Sequence, residues 1–324
     1  MRHRPLSRLV STAVVAAAMA GVGLVAASAT GGVAQAAPKA KPYYISMGDS
    51  YSVGYQDPTL GNTPGFTAYV AKKEKMQLEN FGCGGATTTS MFTQDGCPSG
   101  ASAATDGVAY PTTDQVAAVV AFIDANPGKV GLVTVSIGGN DVTACAGAAS
   151  PIACVAAANT TIETNVTNLV DDVSAALDAN GDSSAPLVGT TYPDVILGDY
   201  VYPTGATDPV LAAQSVVAFD DLINPTLDTA YTSVAQGAFV DVTDAPYKLA
   251  TAGDETGSFN TTTGAYTGPT TSLRPFGRDV PVAVDEVCKL TYYCSITGDI
   301  HANTKGYDFI GGLIVAKLAS LSAG

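Results

Sequence analysis

Four short polar segments of this 324-residue sequence contain side chains whose combined chemistry would be acyl transfer. They are GDSYS at 48–52, GCGGAT at 82–87, GGND at 138–141 and DIH at 299–301. A serine on a glycine-containing turn becomes a nucleophile when a histidine removes its proton, and a carboxylate can orient that histidine. The attacked carbonyl then develops an oxyanion, which backbone N–H groups of a glycine-rich loop and an asparagine amide can stabilise.

The predicted secondary structure brings these segments to one edge of a sheet. Apolar and β-branched runs predict strands at 43–47, 77–81, 130–137, 186–191 and 237–242. The spacing of apolar residues predicts helices at 66–75, 114–125, 160–179, 209–235 and 303–320. This alternation predicts a parallel sheet with helices on both faces, and such sheets bind ligands beyond the carboxyl ends of their strands. Three polar segments follow predicted strands and the fourth precedes the last helix, so one site can gather all four.

In this order and placement, the four segments resemble the sequence blocks of the SGNH (GDSL) hydrolase family. Ser50 matches the nucleophile, and its N–H together with that of Gly85 matches the backbone part of the oxyanion hole. Asn140 matches the family's side-chain oxyanion donor, and His301 matches the general base. The segment TYP at 191–193 also resembles secreted actinobacterial members of the family.

The resemblance extends over about 43–310, nearly the whole of a predicted single domain at 37–324. It implies an α/β fold, namely a three-layer α/β/α sandwich with a central parallel sheet of the flavodoxin-like type. It also implies esterase or lipase activity on small-molecule or lipid esters, with no metal and no organic cofactor. We expect the chain to act as a monomer.

The acid that would orient His301 departs from the family pattern. The family spaces its acid and base as Asp-x-x-His, whereas here only Ile300 separates Asp299 from His301. Two arrangements stay open: Asp299 reaches the Nδ1 proton, or a backbone carbonyl holds the ring while Asp299 caps the loop. We favour Asp299 as the acid. We interpret Asp49 and Asp141, which adjoin the catalytic positions, as acceptors that organise their loops.

The first 36 residues have the features of a secretory signal peptide. Three arginines precede an apolar stretch at 9–29, and small residues then form a cleavage site near Ala36 or Ala37. Cleavage would remove His3 and lower Lys+Arg from 15 to 12 against 29 Asp+Glu, so the formal net charge falls from −14 to −17. His301 would then be the only histidine. An acidic chain argues against a nucleic-acid partner, and we expect a secreted protein without a stable membrane anchor.

Six cysteines follow the predicted cleavage site, and an even number in an exported chain implies disulfides. They fall into three local pairs, Cys83–Cys97, Cys145–Cys154 and Cys288–Cys294. A zinc site is disfavoured because the spacings are not those of zinc clusters and histidine is scarce.

Two features could shape the entrance to the site. Residues 251–281 are rich in glycine and threonine and show little periodicity, so we expect a long irregular surface segment. Such a segment could form a lip over the site. Tyr51, Tyr55 and Tyr192 either line an acyl pocket or pack in the core.

The expected function is that of a secreted serine ester hydrolase, an esterase or lipase. A carbohydrate acetyl esterase uses the same machinery, so the motifs do not separate these two functions. A non-catalytic secreted binding domain on the same scaffold is the third alternative, and the complete set of site residues disfavours it.

Overall fold

The computed structural model describes residues 40–56, 63–98, 102–201, 207–243, 257–273, 277–295 and 298–323. From Lys41 onward the chain forms one compact unit. The predicted signal peptide at 1–36 and its cleavage site lie outside the described residues, as do 251–256 and 274–276 of the predicted surface segment. Within the described ranges, no helix combines the length and apolar character needed to cross a bilayer.

Five parallel strands form the central sheet. They are β1 (Tyr43–Gly48), β2 (Gln77–Asn80), β3 (Val130–Ser136), β4 (Leu187–Thr190) and β5 (Gly237–Val240). Their spatial order is β2-β1-β3-β4-β5, which is the flavodoxin-like order, so the chain reverses direction across the sheet between β1 and β3. The predicted α/β sandwich with a parallel sheet is confirmed.

Helices cover both faces of this sheet. In chain order they are α1 (Ser50–Val53), α2 (Gly65–Glu74), α3 (Ser90–Thr93), α4 (Gln115–Ala125), α5 (Gly139–Val142), α6 (Pro151–Ala179), α7 (Pro209–Val217), α8 (Asn224–Tyr231), α9 (Val282–Leu290) and α10 (Thr304–Ala323). Two 3₁₀ turns lie at Thr143–Gly147 and Val195–Tyr200, and a π-helical turn at Ala218–Ile223 joins α7 to α8.

The strands are apolar on both faces because each face packs against helices. Successive residues of a strand point to opposite sides, so Tyr44 and Leu132 belong to one core cluster and Ile45 and Val133 to the other. The first cluster is completed by α2 and α10, and the second by α4, α6 and α8. This double burial accounts for the continuous β-branched run that predicted the central strand β3.

Two of the predicted helices have different bounds in the structure, and four helices were not predicted: α9 and the one-turn helices α1, α3 and α5. Helix α6 begins at Pro151, earlier than the predicted start at 160, because proline is tolerated in a first helical turn. The predicted helix at 209–235 is interrupted by the π-helical turn Ala218–Ile223. Pro225 follows this turn and has no N–H to donate to the preceding turn, which accounts for the irregular hydrogen bonding there.

The segment expected to be irregular contains two small hairpins in its described part. Strands β6 (Ser258–Phe259) and β7 (Tyr266–Thr267) form the first, and β8 (Thr270–Leu273) and β9 (Arg278–Pro281) form the second. Strands of two to four residues are too short to produce a readable period, so the prediction missed them. The first hairpin contacts α7, where Gln214 Nε2 donates to the Thr261 carbonyl at 3.4 Å.

Candidate active site

Ser50 lies where β1 turns into α1. Gly48 ends the strand with a φ of +127°, and a Cβ at this position would overlap a carbonyl of β3, so only glycine fits. Asp49 caps α1 by accepting a hydrogen bond from the Tyr51 N–H at 3.0 Å. Gln115 binds both polar groups of Gly48: its Oε1 accepts from the Gly48 N–H at 2.6 Å and its Nε2 donates to the carbonyl at 3.2 Å. These contacts hold the serine at the carboxyl edge of the sheet.

His301 lies on the loop between α9 and α10 and contacts the serine directly. Its Nε2 is 2.8 Å from Ser50 Oγ. Its Nδ1 is 2.6 Å from Asp299 Oδ1, and the same oxygen accepts the His301 backbone N–H at 2.8 Å. Of the two arrangements that the sequence left open, the structure therefore has the carboxylate beside Nδ1. The shortened spacing lets one oxygen bind both the ring and the backbone of the histidine.

The charge of Asp299 follows from these contacts. Burial by itself would raise the pKa of Asp299, but hydrogen bonds from the His301 ring and backbone N–H outweigh burial and lower this pKa. The group is therefore ionised at neutral pH. An ionised carboxylate favours a proton on Nδ1, which leaves Nε2 to accept a proton from the serine.

Three N–H groups near the serine are candidate donors to an oxyanion. Asn140 lines the same cleft as Ser50, and its Nδ2 donates to the Ala86 carbonyl at 2.8 Å, which leaves its second amide hydrogen for a ligand. Gly85 precedes Ala86 with a φ of +81°, and a Cβ there would meet no atom within 4 Å, so the space beside it is open. The Ser50 N–H is the first of α1, where helical N–H groups have no intrahelical acceptor.

A partly buried pair, Thr88 and Asp141, connects the loops that carry Gly85 and Asn140. Thr88 donates its N–H to Asp141 Oδ2 at 2.9 Å and its hydroxyl to Oδ1 at 2.7 Å. Asn165 of α6 in turn donates to the Thr88 hydroxyl at 3.1 Å. Partial burial raises the pKa of Asp141, although the bonds from Thr88 oppose the shift. These contacts agree with the interpretation of Asp141 as a loop-organising acceptor.

Asp49 is the most deeply buried carboxyl group of the site, with 1% of its surface exposed. Besides the Tyr51 N–H, it accepts the Tyr192 hydroxyl at 2.5 Å through Oδ2. Burial raises the pKa of Asp49 to about 7, even though both hydrogen bonds lower it. Asp49 therefore joins the nucleophile turn to the loop after β4, which agrees with its interpretation as a loop organiser.

The sequence-based reasoning missed several residues that fasten these loops. The Tyr51 hydroxyl donates to the Ile300 carbonyl at 2.7 Å, across 249 positions of the chain. Gln115 gave a weak signal, because it is a polar residue at the start of a mainly apolar helix. Thr88 and Asn165 gave none, since neither lies in a recognisable motif.

An apolar cleft of about 950 Å³, including its open mouth, begins at the serine. Its walls come from the segment at 142–155, the loop after β4, and the run from α7 into the π-helical turn. They include Val142, Ile152, Val155, Ile196, Leu211 and Phe219. Tyr192 also lines the cleft, whereas Tyr55 packs against the His301 ring with 4.4 Å between centroids. Because its lining is mostly apolar, the cleft suits a hydrocarbon group.

Three disulfides stabilise the loops around the site. They are Cys83–Cys97, Cys145–Cys154 and Cys288–Cys294, the pairs expected from the sequence. The first adjoins the Gly85 loop, the second borders the cleft, and the third ties α9 to the turn before the histidine loop. Among the described side chains, no group of three or more His, Cys, Asp or Glu could hold a metal ion.

A comparison with protein families matches most of the chain. The model of the family described as GDSL-like lipase/acylhydrolase matches residues 44–314. No curated protein sequence matches the chain.

Two similar solved structures are lipases. The lipase Lip_vut3 from a goat rumen metagenome is 15% identical, with 85% of this chain and 96% of that chain covered and a TM-score of 0.49. An extracellular lipase from Streptomyces rimosus is 22% identical, with 76% of this chain and 98% of that chain covered and a TM-score of 0.41.

The raised pKa of Asp49 predicts a pH dependence of stability. Between about pH 4 and pH 7, Asp49 ionises in the unfolded chain but stays protonated in the folded one, so its contribution to stability is lost as the pH rises. Asp49→Asn removes this titration. We expect the free energy of unfolding of the variant, relative to wild type, to increase by up to about 4 kcal/mol from pH 4 to pH 8.

Urea unfolding with intact disulfides at several pH values would measure this difference. Asp114→Asn is the matched control, because Asp114 caps α4 by accepting from the Ala117 N–H at 2.8 Å in an exposed position. Its difference from wild type should stay nearly constant. A constant difference for Asp49→Asn would contradict the assignment of a buried, protonated Asp49.

Proposed function

We propose that this chain, which belongs to the GDSL-like lipase/acylhydrolase family and is a carboxylic ester hydrolase, cleaves its substrates through an acyl-enzyme on Ser50. The observation that carries the proposal is the contact of 2.8 Å between Ser50 Oγ and His301 Nε2 at the mouth of an apolar cleft. A nucleophile and a base within hydrogen-bond reach, with the base oriented by a third group, are the signature of nucleophilic catalysis.

In the first half-reaction, Ser50 Oγ attacks the acyl carbon while His301 Nε2 takes the hydroxyl proton. Asp299, ionised and bound to Nδ1, stabilises the imidazolium that forms. The tetrahedral intermediate then collapses, the bond to the alcohol oxygen breaks, and His301 returns its proton to the leaving alcohol. In the second half-reaction, His301 removes a proton from water, which attacks the acyl-enzyme. The bond between Ser50 Oγ and the acyl carbon then breaks, His301 returns its proton to Oγ, and the acid leaves.

The oxyanion of each intermediate is bound, in this proposal, by the N–H groups of Ser50 and Gly85 and by the Asn140 amide. The Asn140–Ala86 bond at 2.8 Å and the Thr88–Asp141 pair support this assignment, because they hold the donors in place before substrate binds. Donors that need no reorganisation stabilise the developing charge best, and removing one typically costs about 10²–10³ in rate.

The acyl group of the substrate is proposed to occupy the cleft. The side chains that line it beyond the serine are mainly aliphatic, and Tyr192 and Phe219 are aromatic. Such walls offer little to a sugar ring, which needs hydrogen-bond partners, and they favour an aliphatic chain.

Export is the last part of the proposal. The arginines and apolar stretch of the first 36 residues support cleavage near Ala36 or Ala37, which would leave 37–324 as the mature hydrolase domain. Three disulfides fit an oxidising compartment.

A fluorophosphonate probe tests the nucleophile. The folded protein should form a covalent adduct on Ser50, detected by mass spectrometry of the peptide, and Ser50→Ala should form none. Ser174→Ala is a matched control, since it removes a buried serine hydroxyl that donates to Gln236 within the helical layer, and it should be labelled like wild type. Absence of an adduct on Ser50 would refute the mechanism and favour a non-catalytic binding domain.

Asp299→Asn tests the acid. The amide keeps the shape but no longer favours a proton on Nδ1, so kcat for ester hydrolysis should fall by about 10⁴ with little change in KM. Asp308→Asn removes a nearby exposed carboxylate on α10 and should leave kcat within twofold. A loss below tenfold in Asp299→Asn would mean that another group orients the histidine.

A series of p-nitrophenyl esters tests the acyl site. Each methylene buried in the cleft is worth about 0.8 kcal/mol, so kcat/KM should rise by up to about fourfold per methylene from acetate until the cleft is filled. Acetylated xylan serves as the comparison substrate. A preference for acetate esters and acetylated xylan over octanoate would overturn the proposed acyl site in favour of a carbohydrate esterase.

A further inference from the structure

One peptide unit of the histidine loop is held from both sides. The carbonyl of Ile300 accepts the Tyr51 hydroxyl at 2.7 Å. The N–H on the other side of the same peptide bond belongs to His301 and donates to Asp299 Oδ1 at 2.8 Å. In a planar trans peptide the C=O and the N–H point in opposite directions, so fixing one of them fixes the other.

Tyr51 is itself held firmly. It directly follows the nucleophile, and its N–H donates to the buried carboxyl group of Asp49 at 3.0 Å. Its ring makes edge contacts with the rings of Tyr192 and Tyr307, at centroid distances of 5.0 Å and 5.8 Å. Burial raises the pKa of Tyr51 well above its ordinary value, so the hydroxyl remains a donor at any working pH.

We propose that Tyr51 is a positioning residue for His301, acting through its hydrogen bond to the Ile300 carbonyl. This inference rests on the proposed function. With a single residue between acid and base, the orientation of the peptide after Ile300 decides whether one oxygen of Asp299 can reach both the backbone and Nδ1 of the histidine. The Tyr51 hydroxyl sets that orientation, and it does so from the residue adjacent to the nucleophile.

The arrangement couples the two halves of the reaction centre. Ser50 and Tyr51 share one turn, so any movement of the nucleophile carries the Tyr51 backbone with it. Because the hydroxyl binds the histidine loop, the loop follows, and the distance from Ser50 Oγ to His301 Nε2 is kept near 2.8 Å. Misplacement of reacting groups by about 1 Å can cost 10² in rate, so this distance matters for catalysis.

Tyr51→Phe removes only the hydroxyl. We expect kcat for p-nitrophenyl butyrate to fall by about 10–100-fold. KM should stay within twofold, because the Tyr51 ring that borders the cleft is kept and the lost hydroxyl was bound to the Ile300 carbonyl. The rate of fluorophosphonate labelling should fall by the same factor. Tyr44→Phe is the matched control: Tyr44 is fully buried in β1 and its hydroxyl bonds to Thr134 Oγ1 at 2.7 Å, away from the histidine loop. It should keep wild-type kcat.

A second readout reports on the histidine directly. His3 lies in the predicted signal peptide, so the mature protein would have a single imidazole, and its Nδ1 proton should give one low-field ¹H NMR signal. This signal should be sharp in wild type and Tyr44→Phe, and broadened by exchange in Tyr51→Phe. In a double-mutant cycle, Tyr51→Phe should cost less in the Asp299→Asn background, because both residues act on the same peptide unit.

The outcomes separate this inference from the function on which it rests. Wild type without esterase activity and without labelling would refute the proposed function itself. An active wild type with kcat of Tyr51→Phe within twofold, an unchanged imidazole signal, or additive losses in the cycle would overturn only the role of Tyr51. Failure of Tyr51→Phe to fold while Tyr44→Phe folds would likewise assign the hydroxyl to stability and overturn the positioning role.

Discussion

The hydrogen bond between Ser50 Oγ and His301 Nε2 joins residues that are 251 positions apart, and the rest of the site depends on it. A bond of this length has a narrow distance range, so two distant parts of the chain must be held to a fraction of an ångström. The sheet positions the serine, because β1 ends at the turn that carries Ser50. Helix α10 positions the histidine, because it packs on the same side as α2 and brings the loop that carries His301 to the carboxyl edge of the sheet.

The loops at this edge are joined to one another by buried polar side chains. Gln115 binds Gly48, Thr88 binds Asp141, and Tyr51 binds the Ile300 carbonyl. A buried polar group without a partner costs about 1–3 kcal/mol, so each of these pairs disfavours every loop arrangement that would separate it. Apolar contacts depend less on direction than hydrogen bonds do. The polar pairs therefore determine the geometry of the site, while the two apolar core clusters supply most of the stability.

Much of the fold and of the candidate site could be predicted because the signals are local. β-branched runs identified β3, glycine-containing turns marked the Ser50 and Gly85 loops, and cysteines paired with near neighbours. The contact between Asp299 and His301 could not be decided from their spacing, since it depends on the orientation of one peptide that Tyr51 binds from a distant part of the chain. The π-helical turn and the two hairpins escaped prediction for another reason: each is too short to establish a period.

Most of the cleft lining comes from stretches of chain outside the four polar segments. Residues of the segment at 142–155 and of the run from Leu211 to Ile223 form much of the lining, whereas the proposed nucleophile, base and acid lie at 48–52 and 299–301. In the proposed mechanism, most of the wall residues can therefore change without replacing a reacting group. Descendants of one ancestral enzyme can keep all four polar segments intact while their walls diverge, so the presence of those segments in a genome counts hydrolases but says little about which esters the organism consumes.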